Sequence, residues 1–169
     1  MTLNNKLKWQ DNTLVIVKKA SKRLHIIRVL RRCGLSASDM LVVYFSLVRS
    51  LLEYASPIWH TMLPTYLSDK IERVQKRAFR IIYPPVDHED ALKIAQCTRL
   101  DERRQVICGK TFQKIQDPDS KLNHLLPPFR ADMHDRELRN DSHYWIPKCR
   151  TERYKNSFIP RMCSIFNSK

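Results

Sequence analysis

The chain has 169 residues, enough for one domain, or for one domain and a tail, with a hydrophobic core. It holds 31 Lys and Arg against 17 Asp and Glu, a formal net charge of +14 at pH 7. This excess predicts a polyanionic partner, nucleic acid before an anionic membrane surface, with a basic protein that binds neither as the alternative. The only two glycines, Gly34 and Gly109, argue against β-hairpins and against a glycine-rich phosphate-binding loop.

The cysteines and the N-terminal residues bear on the compartment. The five cysteines are odd in number and form no C-x-x-C pair. Residues 1–11 are polar and do not resemble a secretory signal peptide. We therefore expect an intracellular chain with reduced thiols, either nuclear or cytoplasmic.

The first predicted helix covers residues 13–33, with a cap at Asp11 or Asn12 and its end at Gly34. Apolar residues at steps of three and four predict its buried face: Val17, Ala20, Leu24, Ile27 and Leu30. Every charged residue of this helix is basic, and such a surface repels itself instead of gaining support from pairs of opposite sign. We therefore interpret its basic side as a nucleic-acid contact formed by Lys18, Lys22, Arg23, Arg28 and Arg32.

The next stretch, Met40–Trp59, is apolar on almost every side of a helical wheel, with its polar residues on one narrow stripe. This pattern predicts a central helix that neighbouring elements bury, with an N-cap at Ser36 or Ser38. A membrane span is the competing interpretation. Arg49 and Glu53 interrupt the stretch well short of about 20 apolar residues, so we expect no membrane span.

A third helix is predicted over residues 69–82, capped by Ser68, followed by a short helix over 88–95 capped by Asp87 and another over 100–116. The third helix carries one apolar face and, on another, a second group of candidate nucleic-acid contacts: Arg73, Lys76, Arg77 and Arg80. If the first and third helices pack side by side, the two basic faces would form one surface for phosphates.

From Phe129 onward the helical periodicity is lost, and prolines and scattered aromatic residues predict an extended tail. The predicted fold is therefore all-α: a small helical bundle around a buried central helix, with an extended irregular C-terminal tail. We place a helical domain at residues 1–126 and the tail at 127–169.

Catalytic and metal chemistry find little support in the sequence. The chain contains no adjacent Asp-Asp pair, and Glu89-Asp90 fits the acidic first turn of a helix better than a metal site. A zinc site could be assembled only from dispersed residues, His134, His143, Cys149 and Cys163, whose spacings fit no tight finger. We expect no enzyme activity, no metal and no cofactor.

The ordered series of these pieces resembles the region that follows the catalytic palm in non-LTR retrotransposon reverse transcriptases of the jockey, RTE and CR1 type. The matching stretches are Lys18 to Leu24 (KKASKRL), Arg49 to His60 (RSLLEYASPIWH), Tyr66-Leu67, Ile71-Glu72, Val74 to Ile82 (VQKRAFRII), Leu100 with Glu102-Arg103-Arg104, and Tyr154 to Pro160 (YKNSFIP). The resemblance implies a helical thumb and post-thumb region that grips a template–primer duplex. The palm's aromatic-x-Asp-Asp motif is missing, so the chain resembles a fragment without the catalytic site.

The leading hypothesis is a non-catalytic helical module that binds RNA, DNA or an RNA–DNA hybrid through phosphates, without sequence specificity. The palm and fingers of a reverse transcriptase are a further candidate partner. The alternative is a helical protein-interaction or structural remnant with no nucleic-acid role, which would expose apolar surface. Peripheral membrane binding by the first helix is a weaker third hypothesis.

Overall fold

The computed structural model describes residues 8–133 and 142–168, and within them every regular element is a helix or a helical turn. The α-helices are α1 (Gln10–Arg32), α2 (Ala37–Val43), α3 (Ser50–Glu53), α4 (Ser56–Trp59), α5 (Thr65–Ile82), α6 (His88–Ile94), α7 (Leu100–Gln116), α8 (Glu152–Lys155) and α9 (Phe158–Phe166). A π-helical segment, Tyr44–Arg49, joins α2 to α3, and short 3₁₀ turns lie at His60–Met62, Asn123–Leu125 and Ala131–Met133. The predicted all-α class is confirmed.

The chain packs as two compact units. The first comprises residues 1–56 and 63–104, and the second comprises residues 57–62 and 105–169. The division by packing falls within α7, whereas the sequence placed a domain boundary after Leu126. The boundary after Leu126 stays a prediction.

The first unit is built on α1 and α5, which pack against each other and against the helix between them in sequence. Near their N-terminal ends, the Tyr66 hydroxyl donates a hydrogen bond to Oε1 of Gln10 (3.4 Å). Near their C-terminal ends, Nη1 of Arg31 donates to the carbonyl of Ile81 (3.0 Å). The two helices therefore run parallel, and their C-terminal ends lie at the same end of the unit.

The central helix, which we define as α2, the π-helical segment and α3, is buried on one face. Its buried side chains recur every four residues: Met40, Tyr44, Val48 and Leu52. Other apolar residues of the stretch are exposed, with Val42 at 65 %. The prediction of a helix buried on nearly all sides therefore holds fully for one stripe only, because α1 and α5 cover that stripe, while the flanking apolar residues are half-buried and the opposite side is exposed.

The segment Ala37–Met62 is long and apolar enough, by length and composition, to cross a membrane, and 22 % of its most apolar window is buried. Helical geometry breaks inside it at Ala55, whose φ is 53°. One such segment is weak evidence for a span, because core helices of globular proteins meet the same criterion.

The ends of three helices follow the sequence signals. Gly34, at φ 81°, donates its N–H to the Arg31 carbonyl after α1, and the Leu35 N–H reaches Leu30, which is the Schellman arrangement. The Ser36 side chain accepts the N–H of Asp39 at the start of α2 (3.2 Å). The Asp87 carboxylate accepts the N–H of Glu89 at the start of α6 (3.3 Å).

Two helix starts differ from the prediction. α1 begins at Gln10 with Trp9 in the cap position, so neither Asp11 nor Asn12 caps it. α5 begins at Thr65 after Pro64, and the predicted cap Ser68 lies inside the helix. There its hydroxyl accepts a hydrogen bond from Nη2 of Arg104 (3.0 Å), a tertiary contact that a local capping pattern does not contain.

In the second unit, part of the predicted tail is helical. α9 buries Met162 and Cys163 in a cluster with Cys108, Phe112 and Tyr144. Pro160 is compatible with this helix because it lies in the first turn, where backbone N–H groups have no intrahelical acceptor. Between the 3₁₀ turn at Asn123–Leu125 and α8, the described backbone contains one 3₁₀ turn and an isolated bridge between Phe129 and Tyr144, and is otherwise irregular.

Candidate nucleic-acid interface

The nine basic residues predicted as nucleic-acid contacts lie on the surface of the first unit. Eight of them are exposed: Lys18, Lys22, Arg28, Arg32, Arg73, Lys76, Arg77 and Arg80. Within the described part of the chain, none of the nine makes an ion pair. Acidic side chains of the described residues therefore do not neutralise their charges.

Arg23 differs from the other eight because it has a role inside the fold. It is half-buried, and its Nη1 donates a hydrogen bond to the carbonyl of Leu47 in the π-helical segment. A π-helical turn changes the backbone hydrogen-bond partners of the residues around it, and the Arg23 guanidinium binds one carbonyl there. This contact uses part of its capacity to bind phosphate.

Three of the predicted residues, Arg28 and Arg32 of α1 and Arg80 of α5, line one open groove of about 400 Å³. Among the residues that the structure describes, Arg31 and Ile81 complete its lining, which therefore contains four guanidinium groups and no carboxylate. We call it the arginine groove. In this groove the basic faces of α1 and α5 adjoin each other, as the sequence predicted, but only at the C-terminal ends of the two helices.

The arginine groove lies where two helix dipoles end. The C-terminal end of an α-helix carries a partial negative charge from unpaired carbonyls, which cations in the last turn offset. Arg31 serves this purpose directly, because it donates to the Ile81 carbonyl near the end of α5. Arg28, Arg32 and Arg80 are exposed there as well, so the groove carries more positive charge than one capping guanidinium supplies.

The remaining predicted contacts do not line this groove. Lys18 and Lys22 lie toward the middle of α1, and Arg73 and Arg77 lie on α5. Lys76 lines a neighbouring cavity that also includes Arg80. The structure thus brings three of the nine predicted residues together in one concave site.

Arg31 is not among the contacts that the sequence predicts. Its signal was its position in the last turn before Gly34, where basic residues commonly bond helix-terminal carbonyls. That the carbonyl belongs to another helix follows from the parallel packing of α1 and α5, which the sequence pattern does not show.

The dispersed residues considered for zinc do not form a site in the described residues. His134 lies outside them, and no group of three or more His, Cys, Asp or Glu side chains there could hold a metal ion. Cys163 is buried in the second unit, and this burial raises the pKa of its thiol to about 11. At neutral pH that sulfur is a protonated thiol, whereas the thiolate is the metal ligand and the nucleophile.

Several stretches on which the family resemblance depends meet through ion pairs. Nε of Arg103 contacts Oε1 of Glu53 (2.6 Å), and Nη2 of Arg104 contacts Oε1 of Glu72 (3.3 Å). These pairs give the matched residues a structural role, but they do not identify a family. Comparison of the chain with protein-family models, with curated proteins and with solved structures finds no match.

Proposed function

We propose that this chain is a non-catalytic helical module that binds the phosphate backbone of RNA, DNA or an RNA–DNA hybrid without sequence specificity. The observation that carries the proposal is the arginine groove, in which Arg28 and Arg32 of one helix meet Arg80 of another with no carboxylate among the described lining residues. Guanidinium groups are planar donors that bind phosphate oxygens in pairs, which favours phosphate over a diffuse anionic surface.

The expected mode of binding is electrostatic. Each phosphate that an Arg neutralises releases condensed counterions, so affinity falls as the salt concentration rises. The exposed lysines and arginines outside the groove extend the positive surface along α1 and α5 and add attraction at longer range. No pattern in the chain indicates contacts to base edges, so we expect backbone and shape recognition.

In this proposal the module has the role of the thumb region in a reverse transcriptase of the non-LTR type. It holds a duplex, and a palm carries out the chemistry. The proposal rests on the ordered sequence resemblance and on the arginine groove together. The chain has no adjacent Asp-Asp pair, so we propose no polymerase chemistry for its own residues.

Replacing Arg28, Arg32 and Arg80 together by Ser should weaken binding to an RNA–DNA hybrid and reduce its salt dependence. If each guanidinium neutralises one phosphate, the slope of log K against log salt should become less negative by about 2 to 3. Fluorescence anisotropy at several salt concentrations measures both quantities.

A matched control removes the same charge elsewhere. Lys110, Lys114 and Lys121 are exposed residues of the second unit, and their triple Ser variant should keep most of the wild-type slope. A wild-type slope near zero, or equal slopes for the two triple variants, would contradict the proposed function.

A second candidate function, a protein-interaction module, is favoured by the exposed apolar side of the central helix. Val42 is 65 % exposed there, and Tyr54, at the end of the same helix, is 68 % exposed. Large apolar side chains exposed to solvent occur on interaction surfaces.

This second function predicts self-association that persists at high salt and disappears in the Val42→Glu and Tyr54→Glu variants. The free energy of burying apolar surface depends weakly on ionic strength, whereas phosphate binding weakens as the salt concentration rises. Sedimentation velocity over a range of protein and salt concentrations checks this, and a monomer at every concentration would argue against self-association through this face.

A further inference from the structure

A second concave site in the first unit, with a volume of about 320 Å³, lies beside the arginine groove and shares Arg80 with it. We call it the side cavity. Its apolar walls include Phe79, Pro84, Pro85 and Val86. Small-molecule sites commonly occupy about 300 to 1,000 Å³, so the side cavity is at the small end of that range.

The charges around the side cavity favour an anionic ligand with an apolar body. Lys76 and Arg80 are exposed cations in its lining. These two cations outnumber the single carboxylate among the described lining residues, that of Asp87, which accepts the Glu89 N–H at the start of α6. An anionic group would therefore lie near Lys76 and Arg80, and the apolar part would lie against the prolines and Val86.

His88 adds an uncharged aromatic wall. The centroid of its ring lies 6.0 Å from the centroid of the Phe79 ring, with 49° between the ring planes. Burial lowers the pKa of this imidazole below its ordinary value, although the charges of Glu89 and Asp87 oppose the shift, so the uncharged form of the ring predominates at pH 7. Its Nδ1 is buried without a hydrogen-bond partner in the described structure. A flat heterocycle fits such a wall better than an aliphatic chain does, because aromatic rings gain from stacking.

We propose that the side cavity receives a single unpaired nucleotide at the end of a duplex whose phosphates lie on the arginine groove. The inference rests on the proposed function. Arg80 lies in both sites, so the phosphate next to the unpaired base bridges the groove and the cavity. The base lies against the apolar and imidazole walls, where stacking tolerates any base identity.

The test compares a blunt RNA–DNA hybrid with the same hybrid carrying a one-nucleotide 2-aminopurine overhang. The wild-type protein should bind the overhang duplex about tenfold more tightly, since stacking of one base on an aromatic ring, here that of His88, has an effect of this order. The 2-aminopurine fluorescence should also fall on binding. Anisotropy and emission intensity are read in the same titration.

Filling the cavity should remove the preference and leave the groove intact. Val86→Phe adds bulk at a half-buried lining residue, and Val86→Met is a smaller second variant. Both should bind the two duplexes equally, with the wild-type affinity for the blunt one. Val106→Phe, at an exposed residue of the second unit, should keep the preference, and circular dichroism checks that each variant is folded.

The outcomes separate this inference from the proposed function. Salt-dependent binding of both duplexes with equal affinity would overturn the side-cavity assignment and leave the phosphate-binding function standing. No salt-dependent binding of either duplex would overturn both. Free adenosine monophosphate that binds as tightly as the overhang duplex would make the cavity a free-nucleotide site, which also overturns the assignment to a strand end.

Discussion

Replacing Leu52 by Asp should unfold the first unit. Leu52 is 0 % exposed in the buried stripe of the central helix, against which α1 and α5 pack. Removing a buried leucine side chain costs about 2 to 5 kcal/mol, and burying an unpaired carboxylate costs further free energy. The sum approaches the whole stability of an ordinary domain, about 5 to 15 kcal/mol. Thermal denaturation followed by circular dichroism at 222 nm measures the loss.

The matched control is the same substitution on the exposed side of the same helix. Val42 is 65 % exposed, so Val42→Asp should change the free energy of unfolding by about 0.5 kcal/mol or less. Equal melting temperatures for Leu52→Asp and the wild type would contradict the packing described for the central helix. Unfolding of both variants would contradict the difference between its two faces.

Much of the helical framework was predictable because its signals are local. The bounds of α7 agree with the predicted 100–116, and Asp87 caps α6 as expected. The Gly34 signal also worked, since only a residue tolerant of positive φ suits the end of α1. Such signals depend on a few neighbouring residues and need no knowledge of tertiary packing.

The burial of the central helix was less predictable for a physical reason. The apolar residues on a helical wheel indicate which sides of a helix can be buried. The number and position of the neighbouring helices decide which sides are buried. Only the stripe of Met40, Tyr44, Val48 and Leu52 is fully covered. For the central helix the sequence predicted too much burial, whereas for α9 it predicted too little regular structure. Pro160 suggested an irregular tail, although a proline in the first turn is compatible with a helix.

The candidate site shows the same limit. The sequence indicated that α1 and α5 each carry a basic face. Which basic residues of the two faces lie close together depends on the relative direction of the helices. Because α1 and α5 run parallel, Arg28 and Arg32 near one C-terminal end meet Arg80 near the other. The stretch Glu102-Arg103-Arg104 entered only through the family resemblance, and the sequence does not show that Arg104 is buried where it pairs with Glu72 of α5.

Removing one partner of the Glu72–Arg104 pair should destabilise the first unit strongly. The Arg104 side chain is 0 % exposed and that of Glu72 is 14 % exposed, with Nη2 and Oε1 3.3 Å apart. Glu72 also accepts the Leu100 N–H at the start of α7 (3.1 Å). Breaking a buried pair from one side leaves an uncompensated charge and costs about 3 to 5 kcal/mol. Arg104→Met, which leaves the buried carboxylate without its main counter-charge, should therefore lower the free energy of unfolding by about this amount in urea denaturation.

Removing both side chains of the pair should cost less stability than the two single removals added together. Burial raises the pKa of the Glu72 carboxyl above 4.5 although Arg104 opposes the shift, and burial lowers the pKa of Arg104. For both groups, removal from water outweighs the attraction. The double variant Glu72→Leu with Arg104→Met should thus lose clearly less stability than the sum of the two single variants, since apolar side chains often replace a buried ion pair at little cost. Additive losses would contradict a direct coupling between the two side chains.

The raised pKa of Glu72 also fixes the sign of a pH effect. Between the ordinary value of 4.5 and the raised value in the folded state, the folded chain binds more protons at this residue than the unfolded chain does. Its contribution to the free energy of unfolding therefore decreases as the pH rises through that window. Urea denaturation of the wild type and of Glu72→Gln at a series of pH values isolates this contribution as their difference. A wild-type stability that rises relative to Glu72→Gln across the same window would mean that pairing with Arg104 outweighs the burial of the carboxylate.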